Sequence, residues 1–98
     1  LTEINKEDYP PSEFSLLQNY PNPFNPETVI SYQLAVRSKV TLGIYDILGR
    51  EVAILLDEEK EVGKYTVRFN GESLPSGLYI CRIIAGDFVK TIKMILVK

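Results

Sequence analysis

The chain has 98 residues, 45% hydrophobic and 24% charged, with a net charge of −2, which is the composition of one globular domain with a modest core. Acidic and basic residues are interspersed, arguing against a nucleic-acid surface, and no apolar run reaches the roughly 18 residues of a membrane span. There is no histidine, so the usual neutral-pH proton shuttle is missing and neither a Ser-His-Asp nor a Cys-His constellation can be built.

The first residue is Leu1 rather than Met, and Thr2–Ser15 is polar, with Glu3, Lys6, Glu7, Asp8 and Glu13 around Pro10-Pro11. That composition predicts a linker over residues 1–15, leading from a preceding domain into a second unit over residues 16–98. The tract Gln18-Asn19-Tyr20-Pro21-Asn22-Pro23-Phe24-Asn25-Pro26 follows, with three prolines in six residues. Each proline lacks an N–H and fixes φ, and each pushes the residue before it toward extended geometry. Asn side chains bond the nearby backbone and stabilise turns. The tract predicts a rigid, kinked lead-in whose prolines lie at an edge or outside any sheet.

From Thr28 the dominant period is two, the mark of half-buried strands. Ile30, Tyr32 and Leu34 share one face, and Val40, Leu42 and Ile44 form the next. Asp46-Ile47-Leu48-Gly49 supplies a turn, Asp opening it and Gly suited to a positive φ near its end. The chain then returns through Val52, Ile54 and Leu56. Glu51–Val62 is ambiguous, because its Glu, Leu, Ala and Lys content also suits a helix. A helix of about 12 residues is marginal without tertiary support, and the reading adopted is a strand over Glu51–Leu56 with a charged turn over Asp57–Glu61.

Tyr65, Val67 and Phe69 alternate with Lys64, Thr66 and Arg68. Asn70–Gly77 carries turn chemistry, Leu78–Ile84 resumes a strand with Tyr79, Cys81 and Ile83 inward, and Arg82 is expected in water. Ala85-Gly86-Asp87 is a hairpin connection. Phe88–Lys98 forms the last strand, with Ile92, Met94 and Leu96 inward. Strands of this spacing predict an all-β fold, an immunoglobulin-like antiparallel β-sandwich of about seven strands; a compact barrel is the alternative.

No catalytic, cofactor or metal site is expected. Cys81 is the lone cysteine, so it forms no intrachain disulfide and is expected to be a small buried hydrophobe. Asn22, Asn25, Glu27 and Asp46 carry oxygen atoms that suit calcium, but no loop has the dense acidic spacing of a dedicated site, and turn chemistry explains them. Most tyrosines are expected in the core or at sandwich corners. An enzyme using two carboxylates is disfavoured, since the acids fall at turns and solvent-facing positions.

Four pieces, in order, carry a family resemblance: Gln18–Pro26, Val40–Val52, Leu74-Pro75-Ser76-Gly77-Leu78-Tyr79, and Gly86–Lys98. Together they make residues 14–98 closely similar to the type A C-terminal sorting domain of the type IX secretion system in Gram-negative bacteria. The resemblance implies an immunoglobulin-type sandwich at the end of a secreted cargo. It also implies partners: the preceding cargo domain, the outer-membrane secretion machinery, and a surface sortase-like peptidase. The implied location is the cell surface or medium, reached through the periplasm. A non-catalytic monomer without cofactor is expected. The residues that carry the resemblance, and hence the expected recognition set, are Pro21, Asn22, Pro23, Asn25, Pro26, Asp46, Gly49, Pro75, Gly77, Tyr79, Gly86, Lys90, Lys93 and Lys98. Cys81 stands where such domains often have an aromatic or aliphatic residue, a packing difference. The last strand, Phe88–Lys98, is expected to be an uncapped sheet edge that another protein can extend. A different class of function for the same fold is an accessory module that binds carbohydrate or a neighbouring protein.

Overall fold

Alternation at a period of two carries into seven strands: β1 (Ser15–Leu16), β2 (Glu27–Leu34), β3 (Ser38–Tyr45), β4 (Glu51–Lys60), β5 (Gly63–Asn70), β6 (Gly77–Ala85) and β7 (Phe88–Leu96). The structure, a computed structural model, describes residues 10–98; residues 1–9, most of the expected linker, lie outside the described residues. One sheet has the order β1-β2-β5 and the other β4-β3-β6-β7, all pairs antiparallel. The expected sandwich is present. Relative to the constant-type immunoglobulin arrangement, the fourth strand sits beside β3 rather than in the other sheet. The tight turn after Tyr45 is the reason, because it folds β4 straight back onto β3 as a hairpin.

The two sheets bury the faces that the alternation assigned. Ile30, Tyr32 and Leu34 from β2, Val40, Leu42 and Ile44 from β3, Cys81 and Ile83 from β6, and Met94 and Leu96 from β7 are each at most 2% exposed. Burying aliphatic side chains of this size contributes about 1.5–3 kcal/mol each. Burial also pushes the Cys81 thiol up to about 12, so it stays a neutral packing group. Tyr79, at the start of β6, donates its hydroxyl to the Pro75 carbonyl at 2.6 Å. This satisfies the polar end of a buried ring and anchors a sandwich corner.

Three expectations are corrected. The charged run does not turn at Asp57: β4 continues through Lys60, with Lys39 opposite Glu59 and Ser38 opposite Lys60. Ladder hydrogen bonds, and surface ion pairs from Arg37 to Glu59 and Glu61, hold these residues extended, and the turn falls at Glu61-Val62. Ile54 faces outward because the β3–β4 register jumps twice, skipping Leu55 and Val52. Such bulges move the following side chains to the opposite face, leaving Leu55 and Leu56 against the core and Ile54 against Gly43 outside. Arg82 is not solvated but half-buried, its guanidinium 4.6 Å from the centre of the Tyr45 ring and bonded to the Tyr45 hydroxyl. The flat cation is held there by stacking on the ring.

Candidate functional site

Strand direction sorts the loops into two poles. At one pole lie the lead-in before β2, the turn joining β3 to β4, the segment between β5 and β6, and the end of β7. At the other lie the start of β1, the turn joining β4 to β5, and the two-residue turn Gly86-Asp87 between β6 and β7. Of the sequence-expected residues, Pro21, Asn22, Pro23, Asn25, Pro26, Asp46, Gly49, Pro75, Gly77, Tyr79 and Lys98 meet at the first pole. Gly86 and the exposed Lys90 sit toward the second, and Lys93 lies between them on the outer face of β7.

The lead-in closes onto the terminal strand, and this corrects the expectation of an uncapped β7 edge. Gln18 Nε2 donates to the Lys93 carbonyl at 2.7 Å, and the Ile95 amide donates to Asn22 Oδ1 at 2.9 Å. Phe24 then acts as a one-residue parallel strand: its amide donates to the Ile95 carbonyl and its carbonyl accepts from the Val97 amide, both at 2.9 Å. Alternation along β7 aims the peptide groups of Lys93, Ile95 and Val97 away from β6. The lead-in therefore satisfies much of the edge that the fold would leave open. The Phe24 ring, 1% exposed, packs edge-on to Phe69.

The lead-in is itself braced. Asn19, buried, donates to the Pro21 carbonyl at 3.1 Å and to Thr28 Oγ1 at 3.0 Å, while Thr28 Oγ1 donates to the same Pro21 carbonyl at 2.8 Å. All three X–Pro bonds are cis, and the prolines lie outside the strands, as expected. The Pro26 carbonyl accepts from the Gly71 amide at 2.8 Å. Gly71 leaves the seam room: a Cβ there would stand 3.0 Å from the Leu96 side chain and 3.4 Å from the Phe24 ring, so these neighbours would have to give by a few tenths of an ångström. The Lys98 amide donates to Ser76 Oγ at 3.0 Å, and its ammonium donates to the Glu72 carbonyl. Residues 18–26, 70–76 and 93–98 thus form one knot.

The Asp46 turn completes the pole. Asp46 Oδ1 accepts from the Leu48 and Arg50 amides at 2.9 and 3.0 Å, Oδ2 takes the Arg50 guanidinium at 2.8 Å, and the Asp46 amide donates to the Arg50 carbonyl at 2.9 Å. Gly49, at φ +82°, provides the left-handed step that closes the turn. Desolvation, the largest single effect, works against ionisation, but the Arg50 amide and guanidinium and the Leu48 amide together outweigh it and hold the carboxyl below its usual range. Both oxygens are committed to the turn, and no cluster of three metal-ligating His, Cys, Asp or Glu side chains occurs among the described residues. Between this turn and residues 74–79 runs an open groove of about 640 Å³.

Of the side chains that make the closure, Asn22 belongs to the expected set. Gln18, Asn19, Phe24 and Gly71 also take part in it, and these four were outside the expected set. The available signal was the density of amide side chains beside prolines, which cannot form ladders of their own and so must bond elsewhere. Tyr20, one of the tyrosines of which most were expected in the core or at sandwich corners, is 81% exposed.

Residues 18–98 match the family described as the secretion system C-terminal sorting domain. No curated protein matches significantly. Among solved structures, PorZ, an essential surface component of the type-IX secretion system of Porphyromonas gingivalis, superposes with a TM-score of 0.55 at 20% identity. The match covers 87% of this chain but 11% of PorZ, and at that identity it speaks for the fold alone.

Proposed function

The chain belongs to the family of secretion system C-terminal sorting domains, and from that premise we infer that the pole where the lead-in meets β7 is the surface by which the domain is recognised. As a type IX sorting signal, the domain directs an attached cargo through the periplasm to the cell surface or medium. The observation that carries the recognition reading is the four hydrogen bonds joining Gln18, Asn22 and Phe24 to Lys93, Ile95 and Val97. They bring the first and last family motifs into one rigid surface, flanked by the Asp46 and Pro75–Tyr79 segments. Lys93 and Lys98 supply exposed positive charge along it, whereas Lys90, also exposed, points from the opposite face of β7 to Lys93.

The domain works as a binding surface and not as a catalyst. In support, the carboxylate best placed at this pole, Asp46, spends its oxygens on its own turn. Residues 1–15 serve as the tether to the cargo domain and offer a surface sortase-like peptidase its substrate. Phe14, within the last residues of the tether, fixes its end to the sandwich by stacking on Phe88 at 5.3 Å between ring centroids. The domain acts as a monomer, since the lead-in occupies the part of the β7 edge where a second copy would pair.

The test is to append residues 14–98 to a periplasmic reporter in a host that has the machinery. The reporter should reach the cell surface, and removal of Met94–Lys98 should abolish export. Failure of the intact fusion to leave the periplasm, or equal export without Met94–Lys98, refutes the reading.

A further inference from the structure

The groove at the same pole contains a break in the sheet. On β7, Ile92, Met94 and Leu96 bond to β6, so on β6 the peptide groups of Gly77 and Tyr79 face β7 and those of Leu78 and Ile80 face β3. Ile80 is paired with Tyr45 there, but β3 turns away at Asp46, and the register of the two strands ends. Among the described residues the N–H and C=O of Leu78 have no backbone partner. One strand-width of sheet is therefore missing beside Leu78, and the gap opens into the groove.

The walls of this gap are apolar where a turn is ordinarily polar. Ile47 and Leu48 stand 69% and 73% exposed at the tip of the Asp46 turn, and Leu78 is 37% exposed. Leu74 and Pro75 form the other wall. The charges in the wall are the Asp46–Arg50 ion pair, internally neutralised, and the exposed carboxylate of Glu51, which leaves one negative charge in excess. Unpaired backbone calls for an extended chain, and a mainly apolar wall whose one uncompensated charge is the negative Glu51 favours an apolar segment without acidic residues.

We propose that this notch captures a short, extended, apolar segment of a protein partner, which adds beside Leu78 as a strand and seats one side chain between Ile47, Leu48 and Leu74. The proposal rests on the reading of this pole as the recognition surface and names what docks there. It assigns a role to exposed apolar side chains that the fold does not need.

The probe is acetyl-Thr-Val-Leu-Val-Thr-amide, titrated into the 15N-labelled chain of residues 1–98 and followed by NMR. Saturable shifts are expected at the Leu78 amide and across Ile47–Gly49, and N-methylation of the central Leu of the peptide should weaken binding about tenfold by removing a backbone donor. The Ile47→Ser, Leu48→Ser double variant, with spectral dispersion unchanged, should weaken it by about the same factor. In the reporter assay the double variant should be exported several-fold less than the parent domain. No shift at Leu78, equal binding of the N-methylated peptide, or full export of the double variant overturns the notch and leaves sorting by the domain intact. Failure of the unmodified domain to export its reporter strikes instead at the sorting reading beneath it.

Discussion

The two poles of the sandwich are stitched at different ranges. At the pole of Asn22 and Lys98, hydrogen bonds join residues 73 and 75 positions apart in the chain, and buried aromatic rings lie beneath them. At the opposite pole the ties across strands are exposed ion pairs from Arg37 to Glu59 and Glu61, over separations of 22 and 24, with the half-buried Phe14–Phe88 stack beside them. Exposed pairs of this kind contribute little, whereas loss of a buried ring or of a bonded amide in a packed seam is felt in full. The contrast teaches that the pole where the lead-in meets β7 is the one whose closure is costly to lose.

The contrast breaks most readily at Phe24. Phe24→Ala should cost about 3–5 kcal/mol in urea unfolding, and Phe88→Ala at the other pole less than half of that; equal losses would erase the distinction. Asp46→Ala should rank next in thermal unfolding near neutral pH, since it removes the acceptor of two turn amides and of the Arg50 guanidinium. Its effect has a pH signature. The folded carboxyl titrates below the 3.8 of an unperturbed Asp, so its stabilisation is fully present above that value and is lost as pH falls through the folded pKa. Melting curves of parent and variant should therefore converge in acid and separate at neutral pH. Asn22→Ala should cost about 1 kcal/mol and selectively speed hydrogen exchange at the Ile95 amide, leaving the Met94 amide, which faces β6, protected. Arg37→Ala should be smallest, at most about 0.5 kcal/mol, and should shrink further in high salt.

Most of the fold was legible because each buried face repeats at two, and a core position in a strand declares itself within a few residues. Tyr79, Cys81 and Ile83, and then Ile92, Met94 and Leu96, were placed correctly on that ground alone. Ile54 was misplaced because a bulge shifts the period without changing composition, and nothing in Val52–Leu56 marks where the extra residues fall. The Asp57–Lys60 run was misread because its partners, Ser38, Lys39, Val40 and Thr41, lie well upstream, and cross-strand pairing overrides local propensity. The candidate site was legible as motifs but not as a place. Gly86 and Lys90 share the sequence signature of the terminal motif yet sit toward the far pole, and the link from Asn22 to Ile95 has no local trace in either segment. A side chain standing in for a strand leaves no periodicity to read.

That link has a consequence for copies that stop short of Ile95. A copy interrupted anywhere before Ile95 keeps every proline of its lead-in but has nothing for Asn22 and Phe24 to grip. In such a copy Phe24 loses the strand it pairs with and its buried seat beside Leu96, and the lead-in has no β7 segment to close upon.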